Sequence, residues 1–69
     1  MDDNYLKNAL EDLIDASSVE RVCLAMASVC LEKSEHIASN WQDTTTARPW
    51  TQMAQRLNTV AGAAERRGV

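Results

Sequence analysis

The sequence predicts an all-α fold: a three-helix bundle with a long central helix, assembled as a homodimer. Three observations carry that expectation. Apolar residues recur at three- and four-residue steps through most of the chain, which is the helical period. Two glycines and one proline leave few breaks. Sixty-nine residues allow one small domain, spanning residues 1–69. An apolar share of 45% and a charged share of 25% separate it from a disordered chain. Phenylalanine is absent and Tyr5, Trp41 and Trp50 are the only aromatics, so the core must use aliphatic side chains, alanine, methionine and cysteine.

The first helix is expected from about Asp3 to Asp15. Asp2, Asp3 and Asn4 offer N-caps and negative charge at its start. Tyr5, Leu6, Ala9, Leu10, Leu13 and Ile14 make one apolar face. Ser17, followed three residues later by Glu20, is a capping-box pattern that opens the second helix.

That second helix should run unbroken to about Gln42, with no glycine or proline inside it. At 100° per residue, Val19, Cys23, Met26, Cys30, Ile37 and Trp41 form its central stripe. Val22 and Val29 lie on one flank, and Leu24, Ala27, Leu31 and Ala38 on the other. The apolar arc is roughly twice the 100° that a surface helix needs, so it wants cover from two sides.

The run Asp43-Thr44-Thr45-Thr46 breaks the helix, and Thr45 or Thr46 is the expected cap of the third. Pro49 would then fall in the first turn, where its missing N–H costs nothing. The third stripe is narrow: Trp50, Met53, Ala54, Leu57, Val60, Ala61 and Ala64. Arg66 and Arg67 suit a helix end and Gly68 the position after it. Gly62 is either a close-packing position or a weak last turn. The short connection makes helices two and three antiparallel. Trp41 should then meet Trp50 at the turn, Ile37 should face Ala54, and Cys30 should face Ala61.

A core this small supplies only about 3–5 kcal/mol without a staple. The first helix is too short to cover the whole Leu24–Leu31–Ala38 flank. Self-association would bury the remainder, which places Leu24 and Leu31 at a subunit or partner interface.

Ten acidic and seven basic residues give −3. Residues 1–43 hold nine acidic and three basic side chains, whereas residues 44–69 hold one and four, so the halves carry −6 and +3. That asymmetry can steer a partner, or serve only to solvate two faces. The overall balance disfavours duplex binding, which needs a basic patch to displace counterions. An anionic face could instead occupy a cationic groove. No stretch approaches 18 apolar residues, so no membrane span is expected. The acidic start does not resemble a secretory leader, and a cytoplasmic setting with reduced thiols fits.

No enzyme chemistry, metal site or cofactor is expected. Cys23 and Cys30 stand two turns apart, about 10.5 Å, too far for a disulfide within one helix. With one histidine they do not make a zinc set. Cys30 and His36 lie about 240° apart around the helix, which defeats a nucleophile–base pair. His36 is read as a solvated surface histidine near Glu32. The carboxylate pairs Glu32/Glu35 and Glu11/Asp12 are read as an acidic face. No phosphate-cradling glycine motif is present.

The stretch Leu31-Glu32-Lys33-Ser34-Glu35-His36-Ile37-Ala38-Ser39-Asn40-Trp41-Gln42-Asp43, followed by Ala47 and Trp50, resembles a pattern in small uncharacterised bacterial and phage proteins. Their pattern reads E-K-x-E-H-I, then N-W-Q-D, then a helix opening on an aromatic residue; Pro49 departs from it. The resemblance spans about a third of the chain and carries over no catalytic or binding residue. It implies a compact helical accessory protein, of the kind that modulates or inhibits a host protein complex, a host-defence inhibitor among them.

The expected function is therefore a non-enzymatic protein–protein interaction module with itself and a host protein as partners. Leu24, Leu31, Trp41 and Trp50 are the expected interface. Arg48, Gln52, Gln55 and Arg56 form a second contact face. That face also supports the alternative, a small helical nucleic-acid-binding regulator.

Overall fold

The computed structural model describes residues 2–69. They form three helices, α1 (Asp3–Ala16), α2 (Val19–Trp41) and α3 (Thr44–Arg67). The fold is all-α with three helices, as predicted, and α2 passes through Ser34 without a break.

Local chemistry sets each boundary. The Asp2 carboxylate accepts from the Asn4 N–H at 2.8 Å and opens α1. The Ser17 hydroxyl, expected to cap α2, instead donates to the Leu13 carbonyl at 2.7 Å and closes α1. Ser18 takes over as the α2 cap and accepts from the Arg21 N–H at 3.0 Å. Asp43, rather than Thr45 or Thr46, caps α3: its carboxylate accepts from the Thr46 N–H at 2.9 Å and the Thr46 hydroxyl at 2.6 Å. A charged acceptor outcompetes the threonine hydroxyls for the orphan donors. The helix thus starts earlier, and Pro49 lies in its second turn, where it withholds one backbone donor.

The end of α3 is a Schellman motif. Gly68 adopts φ 75°, its N–H reaches the Glu65 carbonyl at 3.1 Å, and the Val69 N–H reaches the Ala64 carbonyl at 3.0 Å. The Val69 carbonyl then accepts from the Val19 and Glu20 N–H groups. The end of α3 therefore caps the start of α2 and ties the two helices together opposite their turn.

Helices α2 and α3 are antiparallel across Gln42 and Asp43, with Gln42 left-handed at φ 51°. Their seam is made of small residues. Ala47, Ala54, Ala61 and Ala64 are buried on α3, and Ala27 and Ser34 on α2. The seven-residue spacings Ala27–Ser34 and Ala47–Ala54–Ala61 keep these positions on one line of each helix. The Ser34 and Thr51 hydroxyls bond to each other across the seam, which satisfies the one buried polar side chain among the described residues.

This seam differs from the expected stripes. On α2, Cys23, Cys30 and Ile37 flank it half-buried, whereas Met26 and Trp41 are exposed. On α3, Met53 and Val60 are exposed and Ala47 takes a core position. Small side chains won because alanine facing alanine or serine lets the two backbones come closest. The Ser34–Thr51 and Val19–Val69 bonds also set the register roughly one to two turns away from the expected Ile37–Ala54 and Cys30–Ala61 pairings.

Helix α1 adjoins α2 near their elbow and does not reach α3 among the described residues. The Cα atoms span 38 × 31 × 14 Å. The first dimension is the length of the α2–α3 pair and the last its width. A helix lying along the pair would leave the middle dimension near 14 Å too, so α1 projects. A compact 69-residue domain has a radius of gyration of about 11 Å; here it is 13.8 Å.

Candidate functional site

The elbow between α1 and α2 forms an open apolar cleft of about 500 Å³. Leu10 and Leu13 line it from α1, and Val22, Met26, Val29 and Cys30 from α2, with Arg21 at its rim. Leu6, Leu10 and Ile14 continue the apolar surface along α1. Helical phase puts Met53 and Val60 on the side of α3 that carries Trp50, and Trp50 shares a groove with Val29 and Ile37. Met26 and Val29 line the cleft beside α1, and Met53 and Val60 lie on the Trp50 side of α3; all four are about half exposed.

The flank expected to stay uncovered is indeed open. Leu24 is 43% and Leu31 45% exposed. A second groove beside Leu24 is lined by Ser18, Glu20, Arg21, Ala25 and Ser28 and is mostly polar.

Trp41 does not plug the turn as expected; it is 74% exposed. Trp50 is half-buried, and Lys33 Nζ lies 5.6 Å from its ring centroid. Such a contact contributes about 0.5–1 kcal/mol at an exposed site. The left-handed Gln42 ends α2 directly after Trp41, which leaves that indole with little to pack on. A large, exposed indole at the corner of a helical pair is the residue type that anchors protein interfaces. Arg48, Gln52, Gln55 and Arg56 are exposed on α3, and Arg48 borders a shallow groove with Ala38 and Thr51.

The chemistry-bearing residues are placed separately. Cys23 and Cys30 are free thiols, partly buried beside the seam. His36 is exposed, and the Asn40 amide donates to its Nδ1 at 2.8 Å. His36, Glu32 and Lys33 border the Trp50 groove, which neither cysteine lines. Among the described residues no group of three or more His, Cys, Asp or Glu side chains could hold a metal ion. Asp43 is held below the usual carboxylate range, first by the Thr46 hydroxyl and then by the Thr46 N–H. This is the signature of a helix cap. Among the described residues no helix is long and apolar enough to cross a membrane.

No protein-family model, curated protein or solved structure matches this chain. The geometry therefore stands alone. The open Leu24 and Leu31 follow from helical phase, whereas the exposed Trp41 departs from it. Periodicity alone puts Met26, Met53 and Val60 in the two central stripes, whereas the structure leaves them exposed. The alanine spacing of seven was the signal that would have rotated both helices.

Proposed function

We propose that this protein is a non-enzymatic protein–protein interaction module, an accessory protein that modulates another protein complex. One observation carries the reading: among the described residues no large side chain is fully buried, and the buried ones are five alanines and one serine. Meanwhile Tyr5, Leu13, Leu24, Val29, Trp41 and Val60 are each more than 40% exposed. Apolar surface on that scale marks a partner-binding face. The Leu24–Leu31 flank and the Trp41 corner are the surfaces for the foreign partner, and the resemblance to bacterial and phage proteins makes a host complex its class.

The test is affinity capture with the tagged full chain against a Leu24→Glu/Leu31→Glu variant. The wild type should enrich a defined protein that the variant loses. Equal recovery by both chains removes the flank from the interface. The alternative, a nucleic-acid-binding regulator, is favoured by Arg48, Gln52, Gln55 and Arg56 sharing the exposed side of α3. It requires retention on DNA at low ionic strength that falls steeply with salt.

A further inference from the structure

The chain exposes 5517 Å². A folded monomer of its 7.7 kDa mass is expected to expose about 4300 Å². The excess of about 1200 Å² per chain, taken twice, falls in the range of obligate homodimer interfaces. Helix α1, which buries none of its residues and stands away from the α2–α3 pair, contributes to that surplus.

We infer that a second copy of this chain fills that space, with α1 of each protomer lying across the Met26–Val29–Met53–Val60 face of the other. The inference rests on the protein-binding reading above and names the partner of one of its faces.

Helix α1 cannot cover its own chain's face while the elbow stays as it is. Ser17 closes α1 and Ser18 opens α2 with no residue between them, so the backbone of this serine pair alone sets the angle of the arm. The Val69 carbonyl on the Val19 and Glu20 N–H groups holds the far side of the same corner. Exchanging arms between two copies keeps this elbow and all of these bonds as they are.

The dimensions and charges also match. Fourteen residues make α1, about 21 Å long. The α2 face from Val22 to Lys33 runs about 17 Å. Asp3, Glu11, Asp12 and Asp15 against Lys7 give α1 a charge of −3. The receiving face is bordered by Arg21, by Lys33 with Glu32 beside it, and by Arg56, one turn on from Met53, so basic groups outnumber acidic ones there. Two such contacts related by a two-fold axis make a closed, isologous interface.

The test pairs sedimentation equilibrium of the full chain at micromolar concentration with isotope-filtered NMR on a mixture of labelled and unlabelled protein. The expected result is twice the 7.7 kDa chain mass, with Leu10 or Leu13 methyl protons close to Met53 or Val60 methyl protons of the other copy. Leu10→Glu should weaken the dimer at least about 100-fold by placing a charge in the apolar contact, while Leu24→Glu leaves it dimeric. A monomeric wild-type mass overturns the inference but leaves the Leu24–Leu31 capture experiment intact. A dimer whose α1 methyls see only their own chain, or that Leu24→Glu dissociates, also overturns it.

Discussion

The α2–α3 seam and the face that α1 overlooks are both apolar, yet opposite residue types build them. The seam uses alanine, one serine and the edges of two cysteines. It is closed, polar-satisfied and tied at both ends, by Asp43 at the turn and by the Val69 carbonyl at the opposite end. The overlooked face uses leucine, valine and methionine and is open. Small side chains bring backbones together but remove little apolar area from water per residue. Large ones carry most of the area that burial could contribute, about 25 cal/mol per Å². The chain has spent its small residues on its own fold and kept its large ones outside, which is how a protein that completes its core by association would be made.

The sharpest way to break this contrast is to overpack the seam. Ala61, 1% exposed, replaced by leucine should cost about 2–3 kcal/mol, measured by chemical denaturation. A loss under half of that would mean that the seam yields and is not close-packed.

The polar bridge comes next. Ser34→Ala should cost about 1–2 kcal/mol because it strands the Thr51 hydroxyl. Adding Thr51→Val should recover most of the loss. A double variant as unstable as the sum of the singles would show that the two hydroxyls are not coupled.

Gly62 tests the other side of the account. A Cβ there would meet only the Arg66 guanidinium, at 3.6 Å. Gly62→Ala should therefore stabilise α3 by about 1 kcal/mol, seen as a higher unfolding midpoint. Destabilisation would mean that α3 needs glycine at this point for close packing after all.

The smallest effect is the pH dependence of the α3 cap. Asp43 titrates below its usual range in the folded chain. Its stabilising effect is therefore complete above its unfolded value, about pH 4, and is lost as pH falls through the lower folded value. Asp43→Asn should flatten the acid limb of a stability–pH curve and leave the neutral region's slope unchanged. An unchanged acid limb would contradict the cap assignment.

Helical periodicity made the all-α class, the helix order and the unbroken α2 legible. Boundary residues were less so, because neighbouring polar groups compete. Ser17 and Ser18 are equal cap candidates on paper, and only the demand of the α1 end assigns them. Periodicity also favours large apolar residues as core, which hid the seam: Met26, Met53 and Val60 outrank Ala27, Ala47 and Ser34 on any hydropathy scale. Backbone approach, which decides which line of each helix faces the other, depends on both helices at once. The exposed Leu24 and Leu31 were legible because no short α1 could cover them. The projection of α1 was not, since helical periodicity says nothing about the angle at the Ser17–Ser18 junction.

Thermal unfolding across a wide range of protein concentration tests the central claim most directly. If the large apolar side chains are buried by association, the unfolding midpoint rises steadily with concentration, because the dimer alone holds them out of water. A midpoint that stays constant from dilute to concentrated protein would show that one chain is stable by itself on an alanine seam, and would contradict the account.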